Sequence, residues 1–233
     1  SVNPPKFIHM KYTGKNVKKK IALIGKGICF DSGGLDIKPA SSMLTMRDDM
    51  SGAACIIGVM SALKYLEPDV EVHGIIAACE NMPSGSSYKP GDILTAKNGK
   101  TIEVDNTDAE GRLTLADALC YACELGVDEV IDIATLTGAI VVALGSEMAG
   151  LFSNDDALSE LLEISGGQAG EELWRISKTS PTDAPPVPSP PPAFWKPFCR
   201  TRPRGRTWTS PVWICSASPN PCIRKAPAAS ALC

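Results

Sequence analysis

Two carboxylates and a guanidinium occupy alternate positions in the stretch "VDNTDAEGRLTLADA", where Asp108, Glu110 and Arg112 precede an Ala/Leu-rich helical pattern. Three other short segments carry similar polar residues: Lys26 and Asp31 in "GKGICFDSGG", Lys38 in "LDIKPA", and Asp49 in "MRDDM". If the fold brings these segments together, the carboxylates share one small volume and cannot all stay ionised without compensating positive charge. Divalent metal ions are the usual compensation.

The ligand types indicate which metals such a site would prefer. The two histidines, His9 and His73, lie outside these segments, so carboxylate oxygens are the main candidate ligands. An oxygen-rich site with two metal ions bridged by carboxylates is suited to Mn²⁺, Mg²⁺ or Zn²⁺.

Each of these residues also has a plainer interpretation. Asp31 before Ser-Gly-Gly is typical of a turn, and Asp49 and Asp108 are each placed to cap the helix that follows. Glu110 and Arg112 would then form a surface ion pair of little energetic weight. "GKGICFDSGG" lacks the G-x-x-x-x-G-K-[ST] order of a phosphate-binding loop. The prediction of a metal site therefore depends on the joint occurrence of the four segments.

Apolar runs without a period of two alternate with helical patterns up to Arg175. "KKKIALIGKGICF", "VEVHGIIAACE" and "DEVIDIATL" predict buried strands, and "TIEV" predicts a short strand. "DMSGAACIIGVMSALKYL", "RLTLADALCYACELG" and "DDALSELLEIS" predict helices, the last capped by Asp155 or Asp156. This alternation predicts an α/β fold whose sheet is covered on both faces. Lys26 and Asp31 then fall at the carboxyl end of the first buried strand, where open α/β sheets place ligands.

Charge and hydropathy argue against several classes of partner. The net charge of the 233 residues is −3, and no block of like charge is longer than "KKK", so a nucleic acid is not an expected partner. No apolar run approaches the ~20 residues that span a bilayer, and no signal-peptide pattern opens the chain. We therefore expect no membrane association and a cytoplasmic location. Cys120 and Cys123 lack a second pair of ligands and are expected to be reduced core thiols.

The composition changes after Arg175. Residues 176–233 hold 13 of the 19 prolines, eight basic residues and a single acid, Asp183. They show neither a helical nor an alternating apolar period, so we expect no packed structure there. A proline-rich linker or polyproline ligand is the other interpretation of this tail.

The polar segments resemble the leucyl aminopeptidase family, the cytosolic aminopeptidases with two metal ions per active site. "GKGICFDSGG", "IKPA", "MRDDMSGAA" and the eight-residue "NTDAEGRL" carry the resemblance, which runs from about Pro4 to Arg175. It implies an α/β catalytic domain with a mixed, mostly parallel sheet between helices, here incomplete. Residues 1–20 would approach this domain, residues 21–175 would form it, and residues 176–233 would be the tail.

The resemblance also implies a role for each matched position. The positions that match metal ligands are Lys26, Asp31, Asp49, Asp108 and Glu110, of which Asp31 and Glu110 match the bridging carboxylates. Lys38 and Arg112 match the catalytic pair, and Arg112 is the residue that would hold a bicarbonate ion. The positions that match the substrate pocket and anion site are Met46, Thr135, Leu136 and Gly138. The implied cofactors are two divalent ions, Mn²⁺ or Zn²⁺ with Mg²⁺ as a further option, and the implied assembly is a homohexamer.

The implied reaction is release of the N-terminal amino acid of a peptide, leucine being preferred in the family. A water bridging the two metals would attack the scissile carbonyl, because the cations lower its proton affinity. The anion at Arg112 would accept its proton, and Lys38 would stabilise the oxyanion. As a ligand, Lys26 would have to be deprotonated, which requires the cations to lower its pKa.

Two departures from the family are expected to affect the whole protein. The family's N-terminal domain is missing, and the family segments that follow the match are absent from the tail. A shifted reading frame near Ile176 permits several of them; codons for "FWKPF", for example, also permit Leu-Glu-Ala-Phe. We therefore expect a frameshift, which the nucleotide sequence would test. The alternatives are an inactive product of such a gene, a proline-rich interaction protein, and a two-metal phosphoesterase.

Overall fold

The fold is described from a computed structural model, which places residues 3–176 and the backbone of Val212–Cys215. The strands are β1 (Lys6–Thr13), β2 (Lys19–Asp31), β3 (Val70–Asn81), β4 (Ile93–Thr95), β5 (Thr101–Glu103), β6 (Glu129–Ala134), β7 (Ala149–Phe152), β8 (Leu173–Arg175) and β9 (Val212–Cys215). The α-helices are α1 (Ala40–Met43), α2 (Ser51–Leu66), α3 (Glu110–Glu124), α4 (Ala139–Leu144) and α5 (Asp156–Ala169). Short 3₁₀ turns cover Met46–Asp48 and Thr107–Ala109.

Seven of the strands in the described residues form one sheet, in the order β1-β3-β2-β6-β9-β7-β8. The neighbours from β3 through β2 and β6 to β9 are parallel, and so are β7 and β8. The β1–β3 and β7–β9 pairs are antiparallel. Strands β4 and β5 form a separate hairpin. The mixed, mostly parallel sheet predicted from the sequence is confirmed.

Helices cover both faces of this sheet, because successive residues of a strand point to opposite sides. On one face, Leu115 and Leu119 of α3 pack in a buried cluster with Ile24 of β2. On the other face, Ile56 of α2 packs against Ile76 of β3. The layered arrangement expected for an α/β fold is therefore present.

Several smaller predictions can also be compared with the structure. The side chain of Asp155 caps α5 by accepting a hydrogen bond from the backbone nitrogen of Leu158, as one of the two alternatives predicted. Cys120 and Cys123 are buried thiols that form no disulfide, as expected. None of the helices in the described residues has the length and apolar character needed to cross a bilayer.

Seven of the strands and α-helices were not predicted: β1, α1, β4, α4, β7, β8 and β9. Strand β1 lies within the segment that was expected only to approach the domain, and it forms an edge of the sheet by pairing along β3. Short strands and helices at the margin of a sheet depend on the partner they meet more than on their own pattern, so sequence periodicity indicates them poorly.

The tail prediction falls mostly outside the described residues. The exception is β9, whose backbone lies between β6 and β7. No alternation of apolar residues indicated a strand at Val212–Cys215, so the expectation of no ordered structure differs from the fold at these four residues. Its two neighbouring strands supply hydrogen-bonding partners on both sides, which can order a short segment that has little intrinsic preference.

Helix α2 lies against β2 and β6 at an unusually close distance, which only glycine permits. A Cβ atom added to Gly52 would lie 2.0 Å from the carbonyl oxygen of Ile133 and 2.9 Å from the backbone nitrogen of Lys26. We expect Gly52→Ala to lower the free energy of unfolding by about 1–3 kcal/mol, because the helix must move away from the sheet. Gly58→Ala on the same helix is the matched control, since a Cβ there meets no atom within 4 Å. Urea unfolding measures both, and equal stability of the two variants would contradict the close packing.

Glu71 of β3 links three strands through charged partners. Its carboxylate lies 3.0 Å from Lys11 Nζ of β1 and 3.6 Å from Lys20 Nζ of β2, and His73 Nε2 lies 3.0 Å away. The hydrogen bond from Lys11, with further help from His73, lowers the pKa of Glu71 to about 2 although burial acts in the opposite direction.

We expect this pairing to make stability depend on acid pH. A carboxyl whose pKa is lower in the folded state stabilises above its unfolded pKa, and this contribution is lost as the pH falls towards the folded value. Glu71→Gln should therefore lower the free energy of unfolding by about 1–3 kcal/mol at pH 7. The difference from wild type should shrink between about pH 4.5 and about pH 2. Glu67→Gln, at an exposed ion pair with Lys15, is the control and should change stability little at any pH.

Candidate metal centre

The predicted site residues converge at the carboxyl ends of β2 and β3. Asp31 is the last residue of β2, and Glu110 is the first residue of α3. Asp49 follows the turn Met46–Asp48, and Asp108 lies within the turn that leads into α3. Asp31, Asp108 and Glu110 each offer an oxygen within 4.8 Å of the others, so they could hold a metal ion.

Lys26 forms one half of the centre. Its Nζ lies 2.8 Å from Asp49 Oδ1 and 3.0 Å from Glu110 Oε1, and it donates to the Thr135 carbonyl at 3.0 Å. The Thr135 hydroxyl also donates to Asp49 Oδ1, at 2.7 Å. Lys26, Asp49 and Glu110 are all buried. This half therefore contains two carboxylates facing one cation.

Lys38 forms the other half. Its Nζ lies 2.9 Å from Asp31 Oδ2 and 2.5 Å from Asp108 Oδ1. Asp31 is buried, whereas Lys38 and Asp108 are partly exposed at the opening of the site. Each lysine thus lies between two carboxylates that come from different elements of the chain.

The carboxylates of the centre are short of positive charge even with both lysines present. Burial is the main reason why the pKa of Glu110 rises to about 7, and the charges of Asp31 and Asp49 raise it further against the opposing effect of Lys26. Burial likewise raises the pKa values of Asp49 and Asp108. Such a set of oxygens favours the binding of additional cations.

The state of Lys26 bears on its expected role as a ligand. Burial alone would lower the pKa of Lys26, but Glu110 and Asp49 together raise it above its ordinary value. Lys26 is therefore an ammonium group in this geometry, and it neutralises its neighbours. To become a ligand it must lose that proton to the approaching cations, and this step stays a prediction.

The three aspartates differ in whether their plainer interpretations hold. Helix α2 has Met50 as its N-cap residue and α3 has Ala109, and neither helix is capped by a side chain, so Asp49 and Asp108 are not caps. Asp31 does form a turn, since its Oδ1 accepts a hydrogen bond from the backbone nitrogen of Gly33 at 2.9 Å. It contributes its other oxygen to the centre.

The loop after β2 is fixed against the turn before α3. The Thr107 hydroxyl donates to the Gly33 carbonyl at 2.7 Å, and the Thr107 nitrogen donates to Asp36 Oδ2 at 2.7 Å. Gly33 has a φ of +88°, and a Cβ there would lie 2.9 Å from Asp108 Oδ1. Glycine is therefore required for this loop to approach the Asp108 carboxylate.

The other predicted residues form none of the lysine–carboxylate contacts described above. Met46 begins the turn before Asp49, and Leu136 and Gly138 follow β6 next to Thr135. Arg112 lies in the first turn of α3, where burial lowers its pKa while Glu110 acts in the opposite direction. Among the described residues, Arg112 Nε is buried and has no hydrogen-bond partner. The roles of these four residues in binding an anion or a substrate stay predictions.

Sequence reasoning missed Asn81. It is the last residue of β3, and its side-chain amide donates to Asp31 Oδ1 at 2.9 Å and to the Thr107 carbonyl at 3.0 Å. The sequence did contain a signal for it. Asn81 directly follows the predicted strand "VEVHGIIAACE", and the carboxyl end of such a strand lies at the ligand-binding edge of the sheet.

The donor set fits hard divalent ions. It consists of carboxylate oxygens from four residues and one lysine amine, with no described histidine or cysteine among the contacts. In the described part of the chain, Asp49 Oδ2 is buried without a hydrogen-bond partner. A buried carboxylate oxygen of this kind requires a partner, and a cation would satisfy it.

Comparison with known proteins agrees with this geometry. Residues 1–184 match the model of the "Cytosol aminopeptidase family, catalytic domain". The chain is 62% identical to the "Probable cytosol aminopeptidase" of Persephonella marina over 177 residues, which is 76% of this chain and 35% of that protein. It is 56% identical to a protein with the same description from Aquifex aeolicus over 178 residues, 76% of this chain and 36% of that protein.

A plant protein shows a similar match. The chain is 55% identical to "Leucine aminopeptidase 1" of Arabidopsis thaliana over 181 residues, or 76% of this chain and 35% of that protein. It thus spans about a third of the length of the curated relatives that it matches. Since the family model and the relatives cover the segments that build the centre, this chain belongs to the cytosol aminopeptidase family.

Proposed function

We propose that the protein is a metal-dependent aminopeptidase that releases the N-terminal residue of peptides, with leucine preferred. The observation that carries this proposal is the convergence of Lys26, Asp31, Asp49, Asp108 and Glu110 in one buried centre. Family membership supports the same reaction and does not favour a phosphoesterase. The relatives' names also support the cytosol as location, although one relative from Oryza sativa is described as chloroplastic.

Two divalent ions, Mn²⁺ or Zn²⁺ with Mg²⁺ as a further option, would activate a water molecule and polarise the scissile carbonyl. Lys26, Asp49 and Glu110 would hold one ion, and Asp31, Asp108 and Glu110 would hold the other. Asp31 is also proposed to bridge the two. Binding of these ions, with loss of one proton from Lys26, would stabilise the ionised carboxylates, whose pKa values are raised by burial and by one another's charge.

Residues of this chain would stabilise and position the reacting groups. Lys38 lies at the opening of the centre, where its ammonium group can donate to the oxygen that becomes negative as the carbonyl is attacked. The partly buried guanidinium of Arg112 would hold an anion such as bicarbonate, which accepts a proton from the nucleophile. Met46, Thr135, Leu136 and Gly138 would contact the first side chain of the substrate or the anion.

Hydrolysis of leucine anilide by the full chain with added Mn²⁺ tests the proposal. We expect release of aniline that stops when a chelator is added. Leucine anilide with an acetylated amine is the control substrate and should not be cleaved, because an aminopeptidase needs the free amine. Absence of cleavage by a folded, metal-loaded chain would support the alternative of an inactive product.

The other predictions concern the whole protein. A homohexamer is proposed from the resemblance, and light scattering of the purified chain would measure its mass. The proposed frameshift and the proline-rich interaction module concern residues that are mostly outside the described part.

A further inference from the structure

We propose that Asn81 is a positioning residue that sets the separation between the two cation positions of the centre. This inference rests on the proposed function, since it assigns Asn81 a task in the same metal site. Asn81 was not among the residues that the sequence pointed to, and its side chain is buried with an exposure of 5%.

One amide group of Asn81 reaches three parts of the centre. Its Nδ2 lies 2.9 Å from Asp31 Oδ1, 3.0 Å from the Thr107 carbonyl oxygen and 3.5 Å from Glu110 Oε2. The two short contacts use the two hydrogens of the amide, and the longer one shares them. All three neighbours are acceptors, so only the nitrogen end of the amide can face them.

The two carboxylates that are proposed to bridge the ions each divide their oxygens between this amide and a lysine. Asp31 places Oδ1 on Asn81 and Oδ2 on Lys38, whereas Glu110 places Oε2 near Asn81 and Oε1 on Lys26. Each carboxylate therefore has one oxygen on the neutral amide and the other on a lysine. The two ammonium groups occupy separate positions, and Asn81 contacts one carboxylate from each lysine–carboxylate set.

The backbone holds Asn81 firmly in this position. Asn81 pairs with Asp31 at the end of the β2–β3 ladder, and its carbonyl accepts hydrogen bonds from the nitrogen and the hydroxyl of Ser32, at 2.9 and 2.7 Å. A Cβ on Gly34 would lie 3.0 Å from Asn81 Oδ1, so the glycine at this position leaves room for the oxygen end of the amide. The strand pairing and the two short contacts of Nδ2 together fix the side chain.

A purely structural role does not account for these contacts. The Thr107 carbonyl needs a hydrogen-bond partner because it is buried, but the Tyr88 hydroxyl already donates to it at 2.7 Å. The backbone nitrogen of Gly33 also donates to Asp31 Oδ1, but among the described contacts Asn81 is the neutral group that reaches both Asp31 and Glu110. A neutral donor orients the two carboxylates and leaves their other oxygens available for cations.

Mn²⁺ titration and electron paramagnetic resonance of the full chain test this inference. We expect wild type to bind two Mn²⁺ ions with a spectrum of exchange-coupled ions. Asn81→Leu, which keeps the number of side-chain heavy atoms, and Asn81→Ala should both weaken binding of the second ion by about 10- to 100-fold and reduce the signal of the coupled ions. Circular dichroism checks that each variant is folded. If one of the two has a folding defect, the other still gives the result.

Two comparison variants separate positioning from stability. Tyr88→Phe removes the other donor to the Thr107 carbonyl, and Ile75→Val trims a fully buried core residue far from the amide. Both should keep the coupled spectrum even where their melting temperature falls. If the Asn81 variants keep the Mn²⁺ affinity and the spectrum of wild type, this inference is overturned and the proposed function is not. A wild-type chain that binds fewer than two Mn²⁺ ions would overturn the proposed function and this inference with it.

Discussion

We expect Lys26→Arg to bind one divalent ion where wild type binds two, and to lose about 10³-fold or more in kcat/KM for leucine anilide. Lysine can become a neutral amine and donate a lone pair to a metal, whereas the guanidinium of arginine stays charged. The site also lacks space for a larger group. A Cβ on Gly111 would lie 2.5 Å from Lys26 Cε, so α3 closes directly against this side chain.

Metal analysis after dialysis measures the number of bound ions, and anilide hydrolysis gives the rate. Lys15→Arg is the matched control, because Lys15 forms an exposed ion pair with Glu67 on the surface. It should change neither quantity. A Lys26→Arg chain that retains two ions would show that Lys26 acts only as a counter-ion to Asp49 and Glu110.

We expect Lys38→Met to lower kcat by about 10²- to 10³-fold while both ions remain bound. The ammonium group of Lys38 is partly exposed at the edge of the centre, and a donor directed at developing negative charge contributes mainly in the transition state. The two carboxylates that Lys38 contacts, Asp31 and Asp108, would be neutralised by metal once the centre is loaded. These two carboxylates should then need little neutralisation by the ammonium group of Lys38.

The kinetic pattern distinguishes this role from metal binding. A parallel fall of kcat and kcat/KM at unchanged metal content indicates an interaction made in the transition state. Lys89→Met is the control, since Lys89 pairs with Asp92 on the surface. If Lys38→Met loses metal in proportion to activity, Lys38 is a structural counter-ion and the proposed role is wrong.

Much of the fold could be predicted because its main elements have strong local patterns. The buried strands β2, β3 and β6 are continuous apolar runs, and α2 and α3 have helical spacing over several turns. Segments with such patterns become buried strands or helices whichever element packs against them. The pairing of Lys26 with Asp49 and Glu110 has no such local pattern, because it depends on where the turn before α2 and the start of α3 meet β2.

The remainder could not be predicted because it is decided by contacts between distant segments. Asn81 looks like an ordinary strand-end residue in the sequence, and only the β2–β3 register places it opposite Asp31. Strand β9 is ordered by β6 and β7 and has no pattern of its own. The charge state of Lys26 likewise follows from the three-dimensional balance between burial and its two carboxylates.

The position of β9 in the sheet has a consequence for how the chain assembles during synthesis. Every residue of the candidate centre emerges from the ribosome before Ala139, yet Ile131 of β6 finds its partner only at Val212. Until then β6 presents an open edge, and long-range pairing of this kind is slow because a large loop must close first. The nascent chain would therefore carry a nearly complete centre on an unfinished sheet, and this interval is when it is most exposed to aggregation and to chaperones.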